Sequence, residues 1–290
     1  MKGISWFLLL SLVCFNAQAW SPQGHEFLSR QIYQHLSPKE KRFYDQILAT
    51  SPYGQGAEGM AGLSAWPDTV RKQKVADVFH SWGVSPPAAL ESFLSADSST
   101  WHYQNHYIYA RTGRACELRD RGELREALLT LDDSLKRARD SKQMAILLGF
   151  YLHLLEDLHQ PLHTFAVVDA SCHSDRGGND VCLKKDGRGQ CEYNLHQMWD
   201  QGFGLWSEQI PVHLMASKIE KPLYLRDEID AWLKEGPALK SKIYPASQSG
   251  YFDPLYLARS RQLVRERAEL AISRGTRLLE TLYRIQTGRE

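Results

Sequence analysis

His153-Leu-Leu-Glu156-Asp157-Leu-His159-Gln-Pro161-Leu-His163 is the stretch on which the reading of this chain turns. The residues leading into it from Lys142 supply Ile146, Leu147, Phe150, Leu154 and Leu158. Their spacing predicts a long core helix ending near His159. Pro161 stops or kinks that helix. His153 and Asp157 lie four residues apart and therefore share one helix face. A single pair of this kind is common, and a hydrogen-bonded core histidine accounts for most of them. This one lies on an otherwise apolar helix, where an uncompensated carboxylate is costly to bury and a cation would offset the cost. Imidazole and carboxylate are ordinary zinc ligands. Beyond the break the chain can turn His163 toward a neighbouring site. His159 is assigned an orienting role behind the ligands.

Working outward, Asn194-Leu-His196-Gln-Met-Trp-Asp200 repeats the spacing on a short amphipathic helix. Two such pairs and His163 imply more than one metal, and a metal cluster in an exported protein points to hydrolysis. Weaker signals surround them. In Trp20-Ser-Pro-Gln-Gly24-His25, a chain beginning at Trp20 would offer its amine and carbonyl as a chelating pair, with His25 close by. In Ser64-Ala-Trp66-Pro-Asp68-Thr-Val-Arg71 a carboxylate precedes a guanidinium by three residues. That also reads as an intrahelical ion pair worth roughly a few tenths of a kcal/mol. Trp101-His102-Tyr103 sets an imidazole between aromatics, and Gly177-Gly178-Asn179 is a turn that could bring an amide to a phosphate. His35, His80, His106, His173 and His213 lack such partners and read as surface or packing residues.

Helical signals dominate the rest. Ser37-Pro38-Lys39-Glu40 is a capping box that opens a helix running to about Leu48. Glu123 to Arg139 carries a leucine stripe at Leu124, Leu128, Leu131 and Leu135. Leu255 to Ile285 is helical by periodicity. Trp101 to Tyr109 is the best strand candidate. Residues 51–62 and 171–191 read as glycine-rich loops. No repeat or linker divides the chain, so residues 20–290 are expected to form one mostly α domain.

Residues 1–19 read as an export signal. Lys2 is its only charge, an apolar run follows from Ile4 to Phe15, and Ala17-Gln18-Ala19 supplies a cleavage site. No later segment is long and apolar enough to span a bilayer, so no stable membrane association is expected. Hydrophobic residues make up 43% of the 290, enough for a sizeable core. Lys2 aside, the 35 basic and 34 acidic residues balance, so overall charge gives no argument for nucleic acid. Cys14 falls within the signal. Cys116, Cys172, Cys182 and Cys191 remain, an even count that suggests two disulfides with three possible connectivities. Cys182 with Cys191 would close a short loop and is favoured. A zinc site from these four is disfavoured, because no C-x-x-C pair occurs.

Taken in order, the Trp20–His25, W-P-D-x-x-R, W-H-Y, H-x-x-x-D-x-H-Q-P-L-H, G-G-N and N-L-H-x-x-W-D segments resemble the zinc-dependent single-strand-specific nucleases, the S-one/P-one family. That family shares its fold with bacterial zinc phospholipase C. The resemblance implies three zincs per chain. One is held by Asp68, His102, His153 and Asp157. A close partner is held by the Trp20 amine and carbonyl, His25 and the shared Asp157. The third is held by His163, His196 and Asp200. It implies attack on phosphorus by a hydroxide bridging the zinc pair, with the third zinc stabilising the leaving 3′-oxygen. Asp68, Arg71 and Asn179 take catalytic positions, the last two contacting phosphate. Tyr103 occupies the place of a base-stacking aromatic. Asn105 stands where a base-reading carboxylate is common, which leaves base preference open. The implied substrates are single-stranded DNA and RNA, cleaved to 5′-phosphate products, and 3′-nucleotides. A zinc phospholipase C of the same fold is the alternative, disfavoured by Asp200 and the G-G-N turn. The protein is expected to be a monomer, periplasmic or secreted, of bacterial type.

Overall fold

A computed structural model describes residues 20–109, 116, 118–208, 222–245, 247, 251 and 253–288. The expected export signal, residues 1–19, and His213 lie outside the described residues. Helices dominate: α1 (Pro22–His35), α2 (Pro38–Leu48), α3 (Gly56–Ala65), α4 (Pro67–Val70), α5 (Val75–Ser81) and α6 (Leu124–Arg137) come first. They are followed by α7 (Ser141–Leu158), α8 (Leu195–Asp200), α9 (Leu225–Trp232), α10 (Glu235–Ala238), α11 (Lys240–Ile243) and α12 (Pro254–Thr287). No described helix is long and apolar enough to cross a membrane.

The helix boundaries follow local chemistry. Ser37 caps α2, and its backbone N–H donates to Glu40 Oε2 at 2.7 Å, closing the expected box. Asp140 caps α7 and Asp253 caps α12, while Gly288 ends α12 in the left-handed region that favours glycine. Helix α7 is buried on all sides: every residue from Met144 to Leu158 is buried, against α1, α2, α3, α6 and α12 among others. Each buried leucine contributes about 1.5–3 kcal/mol. The same burial carries Glu156 and Asp157 into the interior.

The expected loop over residues 51–62 is corrected in part, because α3 starts at Gly56. A glycine costs a helix roughly 1 kcal/mol against alanine. Here packing overrides that preference. A Cβ on Gly59 would lie 2.1 Å from Gly54 O, so the preceding turn can fold back on α3 only over a glycine.

Strands β1 (Gln104–Tyr109), β2 (Arg121–Gly122) and β3 (Phe165–Val168) form a sheet in the order β2-β1-β3. β1 pairs with β3 in parallel, with His106 opposite Phe165, and with β2 antiparallel, with Asn105 opposite Arg121. The parallel pairing lays the segment after His102 beside the segment after His163. A hairpin, β4 (Cys182–Lys185) and β5 (Cys191–Asn194), occupies part of the second expected loop and feeds α8. Disulfides join Cys182 to Cys191 and Cys116 to Cys172, which resolves the connectivity. Such bridges are consistent with an exported chain.

His159 does not orient a metal-binding side chain. As the C-cap of α7 it donates from Nδ1 to Leu155 O at 2.7 Å, and its Nε2 accepts from Arg274 at 3.0 Å. Arg267 also donates to the His159 carbonyl, and both arginines bind Glu235. The helix ends before His159 can point along the Asp157 face, so it ties α12 to the end of α7 instead.

Candidate metal centre

His153 and Asp157 project from one face of α7 into the centre of the molecule, both fully buried. His153 donates from Nδ1 to Ser64 O at 2.8 Å. His163 donates from Nδ1 to His102 O at 2.6 Å, and His196 from Nδ1 to Gly177 O at 2.6 Å. A carbonyl oxygen only accepts, so each of these Nδ1 atoms carries the proton. The Nε2 of each neutral ring is left with a lone pair. Gly177 is itself required here: it sits at φ 64°, and a Cβ would meet Leu162 O at 2.4 Å.

The lone pairs converge on carboxylates. Asp157 Oδ2 lies 3.4 Å from His153 Nε2 and 3.2 Å from His102 Nδ1. Its Oδ1 lies 3.6 Å from His25 Nε2. Asp68 Oδ1 is 3.8 Å from both His102 Nδ1 and His153 Nε2. Asp200 is 3.6 Å from His163 Nε2 and 3.5 Å from His196 Nε2. Among the described residues, three groups emerge whose ligand atoms lie within 4.8 Å of one another: His25, His153 and Asp157; Asp68, His102 and His153; and His163, His196 and Asp200. Each could hold a metal ion.

Electrostatics fit a cation. Burial holds His25, His102 and His163 well below the usual imidazole range, helped by neighbouring imidazoles, and lowers His196 to about 4. Burial also pushes the Asp157 and Asp200 carboxyls well up, with the Asp68 charge adding to it. His25 Nε2, both Asp68 oxygens, Asp157 Oδ1 and His163 Nε2 are buried with no hydrogen-bond partner. Buried acceptors without partners are unfavourable, and a divalent cation would satisfy them together. The donor set, imidazole nitrogen and carboxylate oxygen, suits zinc.

Trp20 is fully buried beside this centre. Its indole donates to Glu156 O at 2.9 Å, and the next residue, Ser21, donates its N–H to Asp200 O at 2.8 Å. Ser21 caps α1, which carries His25 one turn on. Arg71, Tyr103, Asn105 and Asn179 line a cavity of about 950 Å³ that opens onto His102, His163 and His196. Arg71 Nη1 is 3.8 Å from Asp68 Oδ1. Asn179 donates to Arg176 O at 2.8 Å across the 176–179 turn.

Two polar residues of the centre are absent from the sequence reading. Glu156 accepts His25 Nδ1 at 2.6 Å and the Ser29 hydroxyl at 2.6 Å while fully buried. Gln160 donates to Asp200 Oδ1 at 2.8 Å and accepts from Leu162 N at 2.6 Å. The available signal was a charged residue on a helix with no exposed face.

Comparison with known proteins identifies the family. A plant relative, Endonuclease 4 of Arabidopsis thaliana, is 22% identical over 204 residues, which cover 67% of this chain and 60% of its own length. The aligned stretch thus spans less than two thirds of that relative. The family model described as S1/P1 Nuclease matches residues 20–285 and so takes in all three ligand groups. A match that begins at the buried Trp20 and runs into the last turns of α12 places this chain in the S1/P1 nuclease family.

Proposed function

We propose that this protein is a zinc-dependent phosphodiesterase that cleaves single-stranded DNA and RNA to 5′-phosphate products and removes 3′-phosphate from nucleotides. The observation that carries the reading is the convergence of three His/Asp groups, with orphaned acceptors, beside a cavity that His102, His163 and His196 line. Asp68, His102, His153 and Asp157 would hold one zinc. The Trp20 amine and carbonyl, His25 and Asp157 would hold a second, once residues 1–19 are removed on export. His163, His196 and Asp200 would hold a third. Zinc bound there supplies Lewis acidity, lowering the pKa of water toward neutrality and offsetting charge on phosphate.

The chain's own residues do the rest. The Arg71 guanidinium matches phosphate geometry and faces the cavity beside Asp68, where it steadies the charge that builds on the phosphoryl oxygens. Asn179, which lines the same cavity, would offer an amide to the same phosphate. Tyr103 offers a ring on which a base stacks, and Asn105 two residues on can both donate to and accept from its edge. A duplex hides its base faces, so this recognition favours single strands.

The test is direct. Zinc-loaded protein beginning at Trp20 should release 5′-phosphate products from single-stranded DNA and RNA and phosphate from a 3′-nucleotide, and chelation should stop both. Diacylglycerol release from phosphatidylcholine with nucleic acid left intact would reverse the assignment.

Glu156 is a positioning residue in this scheme, acting through His25. Glu156→Gln preserves the side chain's size and an acceptor for His25, but replaces the carboxyl with an amide. It is expected to lower zinc affinity or activity about 10–100-fold. Metal content by emission spectroscopy and a zinc titration of activity check this. Unchanged affinity and rate would confine Glu156 to packing.

A further inference from the structure

The reading above accounts for one base, on Tyr103, and the phosphate over the metal centre. The cavity extends beyond that point along β1. Side chains two residues apart on a strand share a face. Tyr103, Asn105 and Tyr107 follow that spacing, and all three line the cavity. On β2, Arg121 is the register partner of Asn105. Cross-strand partners project from the same face. Arg121 lines the cavity too, and so does Arg119 two residues before it.

The charges along this wall are unevenly committed. Arg176, which also lines the cavity, is held by Asp180 through two contacts, at 2.9 and 2.6 Å. Asp120 lies 3.3 Å from His106. Arg119 and Arg121 make no ion pair among the described residues. The wall therefore presents two aromatic side chains, Tyr103 just before β1 and Tyr107 on it, together with the guanidinium groups of Arg119 and Arg121. Aromatic faces alternating with arginines are what a single strand needs: each base has a face to stack, and each linking phosphate suits a planar guanidinium.

We infer that β1 extends the site into a track for a second base, which stacks on Tyr107 while Arg121 and Arg119 hold the phosphate joining it to the nucleotide on Tyr103. The inference rests on the phosphodiesterase reading and deepens it. It makes an oligonucleotide, rather than a mononucleotide, the substrate that fills the cavity.

The experiment compares kcat/KM for a short thymidine oligonucleotide and for thymidine 3′-phosphate, in the zinc-loaded protein and two test variants, Tyr107→Ala and Arg121→Gln, with Tyr107→Phe as the control. Tyr107→Ala is expected to lower the oligonucleotide value about tenfold more than the mononucleotide value. Tyr107→Phe, which keeps the ring, should restore the oligonucleotide value. Arg121→Gln is expected to flatten the salt dependence of oligonucleotide KM, reducing the log–log slope by about 0.7 for one lost phosphate contact. If both variants change the two substrates in parallel, or change neither, the track is wrong while the phosphodiesterase assignment stands. If the unaltered protein hydrolyses neither substrate, the assignment itself fails and the track falls with it.

Discussion

Asp157→Asn is expected to lower phosphodiesterase activity by at least about 10³-fold, the scale on which loss of one preorganised electrostatic group registers. Asp157 is the hinge of the centre. Its oxygens lie within 3.6 Å of His25 Nε2, His102 Nδ1, His153 Nε2 and His163 Nδ1. Asparagine keeps the volume, so the core around α7 should fold. It loses the charge and replaces one carboxylate oxygen with an amide N–H₂, which cannot ligate a cation. Stability supplies a signature that a mere packing defect would not produce. Without metal, Asp157 is a buried carboxylate that burial pushes toward its neutral form. Replacing it removes an unfavourable desolvation. The chelated variant should therefore melt at or above the chelated parent, while with zinc the order should invert, because the parent alone gains the full binding energy. Thermal melts with and without chelator, beside a product assay, read both. A variant within tenfold of the parent's activity would remove Asp157 from the centre.

The second large effect concerns the amino end. A chain retaining even two residues ahead of Trp20 is expected to lose at least about 100-fold in activity, the upper end of what a misplaced ligand shell costs. Trp20 is buried, its ring held by Glu156 O and packed edge-on against Trp206 at 5.0 Å. Ser21 is bonded to the backbone of Asp200. The first residues are thus pinned between the end of α7 and the end of α8, beside both carboxylates. A free amine there donates a lone pair to a cation. A peptide nitrogen does not, and extra residues need space in a packed interior. Matched circular dichroism would establish equal folding, and trimming the extension with an aminopeptidase should restore activity. Full activity in the extended chain would show that the amine is not a ligand.

Legibility in the sequence followed the physics of each feature. The helices were readable because their signals are local: the Ser37 box and the leucine stripes arise within a few residues. The His153–Asp157 pair was readable because helical periodicity sets its face. The glycines of α3 misled, since a close approach between Gly59 and Gly54 O is a tertiary fact that propensity opposes. The Cys116–Cys172 bridge was readable only by remainder, once the short Cys182–Cys191 loop was favoured, because its own separation of 56 residues carries no local signal. Glu156 was hidden by its neighbour: beside Asp157 it resembles one more charge near a helix end. Only the packing of α1 across α7 brings His25 and Ser29 onto it. Tyr107 and the arginines opposite it depend on strand register, which no single-chain pattern fixes.

The imidazoles of this centre are not anchored alike. Those of His153, His163 and His196 are aimed by main-chain oxygens of Ser64, His102 and Gly177, groups that every amino acid possesses and no point substitution deletes. His25 and His102 depend instead on side chains, Glu156 for the one and Asp157 with His153 for the other. Genetic drift therefore finds most of the centre insulated and two arms adjustable. Of these only the His25 arm leans on a residue outside the ligand groups, so natural variation in metal preference, and any laboratory effort to retune it, would be concentrated there.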